Sequence, residues 1–110
     1  MGVTKTTYYN NAQNEMALIA KALGHPARIA ILEYMLKVNT CICTDIVKEI
    51  PLAQPTISQH LKELKNAQII KGNIEGNSIC YCIQPDSLQK LYHFLGNVLQ
   101  QTSKQENNCC

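Results

Sequence analysis

Leu52-Ala53-Gln54-Pro55-Thr56-Ile57-Ser58-Gln59-His60-Leu61-Lys62-Glu63-Leu64 is the stretch that decides the fold. Pro55 suits the first turn of a helix, where its missing N–H is not needed. With Ile57 at the origin of a helical wheel of about 100° per residue, Leu61 and Leu64 fall within about 40° of it and form a buried stripe. Gln54, Pro55, Ser58, Gln59, Lys62 and Lys65 fill the arc from about 60° to about 200°. That face combines hydroxyls and amides able to touch base edges with two lysines suited to phosphates. An ordinary solvated helix face has the same composition, so spacing alone leaves both readings open. His60, at about 300°, flanks the core stripe and reads as a structural residue rather than a ligand.

Working outward, residues 45–50 predict a short helix, with Thr44 as its cap and Asp45 in its first turn, and Pro51 turns the chain. Further upstream, Met16, Ile19, Ala20 and Leu23 repeat at helical spacing, Gly24 closes that helix and Pro26 opens the next. In the second helix Ile29, Leu32 and Leu36 form one stripe with Ile31 and Met35 beside it, an apolar arc wide enough for the centre of a core. Residues 40–43 form an extended link. Downstream, residues 69–74 and 78–83 are strand-like around Glu75-Gly76-Asn77, a hairpin signal. Pro85 and Asp86 then open a last helix whose stripe is Leu88, Leu91, Tyr92, Leu95, Val98 and Leu99. The fold class is mainly α with a β-hairpin wing: a winged helix-turn-helix, dimeric through its first and last helices because that last stripe is too long for so small a domain to cover.

A chain of 110 residues supports one domain with one modest core, here residues 1–102, followed by a mobile polar tail, 103–110, ending in Cys109-Cys110. No apolar run approaches the roughly 18 residues that cross a bilayer, so no membrane role is expected. Residues 1–14 lack the apolar core of a secretory signal, which makes the cytoplasm the expected compartment. A net charge of +2 permits nucleic-acid binding without demanding it. There is no phosphate loop, no acid–base pair at a useful spacing and no nucleophile beside a histidine, so an enzyme is not expected.

Lys21-Ala22-Leu23-Gly24-His25-Pro26-Ala27-Arg28-Ile29-Ala30-Ile31-Leu32 resembles the junction of the first two helices in ArsR/SmtB-type repressors. The opening stretch resembles their recognition helix, and Ile69-Ile70-Lys71-Gly72 through Tyr81-Cys82-Ile83 is similar to their wing. The resemblance covers residues 17–83. It implies a repressor that binds double-stranded operator DNA as a homodimer. Gln54, Thr56, Ser58, Gln59 and Lys62 would then contact DNA, with Lys71 and Asn77 on the wing near the backbone. Gln68 departs from the pattern, since the family usually has glycine before the wing.

Six cysteines in a reducing compartment point to metal or redox chemistry rather than a disulfide framework, and they come in pairs: Cys41/Cys43, Cys80/Cys82 and Cys109/Cys110. A buried cysteine acting as a small hydrophobe is the plain alternative, most of all for Cys80/Cys82. Cys41-Ile42-Cys43-Thr44-Asp45-Ile46 resembles the Cys-x-Cys element of arsenic-responsive members, displaced by one residue. By that resemblance the effector is arsenite or antimonite, with another thiophilic metal as an option, and the metal-binding residues are Cys41, Cys43, Cys109 and Cys110. Trivalent arsenic takes three thiolates, so the third comes from the tail or from Cys80/Cys82. Strand alternation favours the tail, because it makes Ile79, Tyr81 and Ile83 the core-facing set and turns Cys80 and Cys82 away. A redox- or persulfide-sensing repressor of the same fold is the alternative function.

Overall fold

The computed structural model describes residues 8–38, 53–76 and 78–105. The expected helix at 45–50, Cys41, Cys43, Asn77, Cys109 and Cys110 lie outside the described residues.

Helix α1 (Asn11–Ala22) starts at a reciprocal cap: Asn10 accepts from the Gln13 amide at 2.7 Å, and the Gln13 side chain accepts from the Asn10 amide at 3.0 Å. It closes at Gly24, whose amide donates to the Lys21 carbonyl at 3.1 Å. Leu23 caps it in the right-handed region, and Gly24 is not among the residues with positive φ, so no left-handed glycine is needed there. Helix α2 (Pro26–Val38) buries Ile31 and Met35, while Ile29 and Leu36 are exposed. The expected stripe was therefore one face off: α2 is apolar around most of its girth, so its pattern alone does not select the inward side.

Helix α3 (Gln54–Asn66) buries Ile57, Leu61 and Leu64, the stripe read from the wheel. It ends in a paired turn, with the Ile69 amide donating to the Leu64 carbonyl at 3.0 Å and the Gln68 amide to that of Lys65 at 2.9 Å. This is a Schellman motif, and its left-handed position is Gln68, at φ +60°. The turn thus keeps the geometry that a glycine would adopt freely. Strands β1 (Ile70–Glu75) and β2 (Ser78–Ile83) pair antiparallel, Ile70 opposite Ile83 and Glu75 opposite Ser78, leaving a two-residue loop at Gly76. Gly76 has φ +62°, as a tight hairpin demands.

Helix α4 (Pro85–Gln105) is joined to the end of α3 by the buried Ser87 hydroxyl, which donates to the Ala67 carbonyl at 2.6 Å. It packs against α1, where Lys90 meets Glu15 at 2.8 Å. The helix runs three residues beyond Thr102, so the polar segment assigned to the tail begins as its last turn. The core joins Ile19, Ile31, Met35, Ile57, Leu61, Leu64, Ile69 and Ile70. Each such fully buried side chain contributes about 1.5–3 kcal/mol of transfer free energy.

Candidate nucleic-acid interface

Helix α3 is held from behind by a junction of polar groups. The imidazole of His25 accepts from the Ala27 amide at 3.0 Å, satisfying an opening amide of α2. One turn on, Arg28 donates through a terminal nitrogen to the Ala22 carbonyl at 3.2 Å and through Nε to Nδ1 of His60 at 3.0 Å. The His25 and His60 rings lie 4.4 Å apart. One arginine therefore ties the end of α1, the start of α2 and the back of α3 together. Since Nδ1 of His60 accepts, that ring is neutral with its proton on Nε2. Burial holds the His60 pKa below its ordinary value of 6.5, reinforced by His25 and Arg28 and opposed by Glu63. His60 is thus a buried, partnered support of the helix, as its wheel position implied.

With Ile57, Leu61 and Leu64 fixed inward, Thr56, Ser58, Gln59 and Lys62 stand exposed on the opposite side, joined by Pro55 and Lys65. The helix thus brings these four expected contacts onto one solvated surface, and its first residue is Gln54. Lys71 is exposed on β1, one residue beyond the point where the wing leaves the paired turn of α3. Sequence reasoning missed the role of Glu63, which accepts from the Gln59 side-chain amide at 3.0 Å. The signal was there in the four-residue spacing of Gln59 and Glu63, which places them side by side on one helix face. This bond holds Gln59 to its neighbour one turn on. Arg28 was likewise missed, its role invisible until the two helices are docked.

The wing overturns the expected strand alternation. Cys80 is only 2% exposed, whereas Ile79 is 44% exposed. Tyr81 and Ile83 do pack on the core, and Cys82 is half-buried, so β2 is covered on both faces and simple alternation fails there. Cys80 and Cys82 are both disulfide-bonded. Among the described residues no group of three or more histidine, cysteine or acidic side chains is placed to hold a metal ion, and no helix is long and apolar enough to cross a membrane.

Comparison with known proteins accords with this geometry. Residues 25–71 match the family model described as bacterial regulatory protein, arsR family. An uncharacterized HTH-type transcriptional regulator of Methanocaldococcus jannaschii is 40% identical over 76 residues, 68% of this chain and 84% of its own. The arsenical resistance operon repressor of Staphylococcus xylosus is 30% identical over 74 residues, covering 67% of this chain and 70% of that protein. In fold, the chain is similar to the homodimeric winged helix-turn-helix DNA-binding domain of a possible ArsR-family regulator from Mycobacterium bovis, at a TM-score of 0.65 and 20% identity, over 96% of this chain and 94% of that one. The chain belongs to the arsR family of bacterial regulatory proteins, winged helix-turn-helix transcriptional regulators that bind DNA and are not enzymes.

Proposed function

We propose that the chain is a cytoplasmic repressor that binds operator DNA as a homodimer and leaves it when cysteine thiolates capture arsenite, antimonite or a similar thiophilic ion. One observation carries the DNA-binding part. The polar side chains of α3 stand clear of the core on one face while Arg28 and His60 fix the opposite face. Gln54, Thr56, Ser58, Gln59 and Lys62 enter the major groove, and Lys71 and Asn77 approach the backbone from the wing. The second copy docks on α1 and α4, covering Leu18, Tyr92, Leu95, Val98 and Leu99, all exposed in the single chain.

Cys41 and Cys43 provide the first two thiolates, and the third comes from Cys109-Cys110 or from Cys80 and Cys82. Thiolates select soft ions, and the family tie to an arsenical resistance repressor supports a metalloid. Capture releases DNA only if it favours a conformation with the reading helices out of register. Titrating an operator complex of the reduced protein with arsenite, antimonite, cadmium and zinc tests the effector, and persistence of the complex in all four refutes it. A second reading, in which oxidation is itself the signal, is favoured by the disulfide-bonded state of Cys80 and Cys82. Hydrogen peroxide would then release the operator, two thiols giving one disulfide and two waters, while arsenite would not.

A further inference from the structure

We infer that Glu63 sets the base that Gln59 reads: by holding one hydrogen of the Gln59 side-chain amide, it leaves a group matched to adenine and shuts out guanine. The inference deepens the DNA-binding reading of α3 and rests on it. Gln59 is exposed at about 200° on the helical wheel, the last position of the polar arc, and Glu63 follows at about 240°, just outside it. Nε2 of Gln59 donates to a carboxylate oxygen of Glu63 at 3.0 Å. Chemistry fixes which way round this amide sits. A carboxylate has no hydrogen to give, so the nitrogen faces Glu63 and the carbonyl Oε1 turns away from it.

Glu63 is itself drawn back from the surface that Gln59 presents. It is half-buried and lines a recess with Leu18, Lys21, Ala22 and Arg28, so two cations from α1 and α2 attract its carboxylate toward the body of the domain. Arg28 is fixed there by its bonds to the Ala22 carbonyl and to His60. DNA phosphates, being anionic, repel the same carboxylate from the other side. Glu63 is therefore a positioning residue behind Gln59 rather than a base contact.

A side-chain amide has two N–H donors and one carbonyl acceptor. With one donor spent on Glu63, Gln59 offers one donor and one acceptor side by side. In the major groove adenine presents the matching pair, an N7 acceptor beside an N6 amino donor. Guanine presents two acceptors, N7 and O6, and calls for both donors. Turning the amide over to meet guanine breaks the bond to Glu63 and sets Oε1 against the carboxylate. Cytosine and thymine each offer a single polar group, so neither can be held twice. An ordinary helix-surface pair at four-residue spacing would steady the helix and leave base preference alone. Base preference is therefore the readout that separates the two roles.

The test uses the full chain and a library of randomised double-stranded DNA, with bound duplexes sequenced after selection at one fixed salt concentration. The position read by Gln59 is the one whose preference vanishes in Gln59→Ala. There the wild type should favour adenine over guanine by at least about fivefold, the low end of what a wrong base pair costs. Glu63→Ala should bring that ratio close to one, because guanine-bearing duplexes gain affinity, with preferences at other positions kept. Glu63→Lys, whose ammonium can only donate, should capture the Gln59 carbonyl and swing the preference toward guanine. Should that variant not fold, Glu63→Ala decides. An unchanged adenine-to-guanine ratio in Glu63→Ala, or guanine selected at that position by the wild type, overturns the inference. So does a Gln59→Ala variant that keeps every base preference of the wild type, even where Ser58→Ala alters one and the reading of α3 stands. A wild-type protein that enriches no sequence refutes the base-reading role of α3 itself, a result distinct from any variant pattern.

Discussion

Helices α3 and α4 both present a broad surface to solvent, and the two surfaces are of opposite kind. On α3 the exposed face is polar, with Thr56, Ser58, Gln59 and Lys62, while every large apolar side chain is buried. On α4 the exposed face is apolar: Tyr92 is 74% exposed and Leu99 68%, beside Phe94, Leu95 and Val98. Leu88 and Leu91 near its start reach the core, and the outer turns pass beyond it. A polar face can stay wet at no cost and is free to meet phosphates and base edges. An apolar face of that length marks an interface. The first surface is the one proposed to meet DNA, and the second the one proposed to meet another copy of the chain.

Breaking the apolar surface should have the largest effect. Leu95→Glu with Leu99→Glu should give a monomer by sedimentation at micromolar concentration, with a folded circular dichroism spectrum, since neither residue is in the core. Operator affinity should then fall by about 10²–10⁴-fold, because the second half-site is no longer tethered to the first. A variant that still sediments as a dimer removes α4 from the interface.

Breaking the polar surface should cost less. Gln59→Ala or Ser58→Ala should lose about 1–3 kcal/mol of operator binding and relax specificity at one position. The Gln59–Glu63 bond sharpens this prediction. A Glu63→Ala variant frees Gln59 and should bind operator at least as well as wild type, because the base contact no longer competes with a neighbouring carboxylate. Lys62→Ala should weaken all sequences alike and lower the slope of log affinity against log salt by about one. Normal binding by all of these variants would move the interface off α3.

The two helices also differ in how far they could be read from sequence. The stripe of α3 was legible because Ile57, Leu61 and Leu64 are its only large apolar residues, so a single inward face exists. The extent of α4 was legible in the same way, but its last turn was not. Thr102 and Ser103 look like the start of a polar tail, yet in the fold they are still helical and turn their hydroxyls back to the Val98 and Leu99 carbonyls. The inward side of α2 was not legible, since apolar residues surround most of it. The burial of Cys80 was not legible either, because alternation assumes a sheet with one wet face. Arg28 lay beyond sequence reasoning for another reason: its partners, the Ala22 carbonyl and His60, come from two other elements and meet only after packing.

The buried junction behind α3 should make the stability of the fold depend on pH. The His60 pKa is lowered in the folded state, mainly by burial and then by His25 and Arg28, so the unfolded chain binds the proton more readily. Its contribution is fully present above the unfolded value of about 6.5 and is lost as pH falls through the lower folded pKa. Protonation also removes the Nδ1 lone pair that accepts from Arg28. Thermal melts should therefore show Tm falling as pH drops below about 6.5. His60→Asn should flatten that dependence and lower stability at pH 8 by about 1–3 kcal/mol, the cost of disturbing a buried hydrogen bond. A variant with the pH profile of wild type would locate the titrating group elsewhere.

The smallest expected effect lies at the turn between α3 and the wing. Gln68 holds φ +60°, a conformation that costs an L-residue roughly 1–2 kcal/mol. Its side chain is exposed, so no packing is lost when it is removed. Glycine relieves the strain but gives the unfolded chain more freedom, which returns about 0.5–1 kcal/mol. Gln68→Gly should thus stabilise the domain by about 0.5–1 kcal/mol in urea unfolding at unchanged slope. Gly76 supplies the mirror experiment on the same wing. An added Cβ would meet nothing within 4 Å, yet φ is +62°, so Gly76→Ala isolates the backbone cost. It should destabilise by about 1 kcal/mol through conformation alone. If Gln68→Gly destabilises instead, the left-handed turn is not strained by its glutamine, and the glutamine is no compromise at that position.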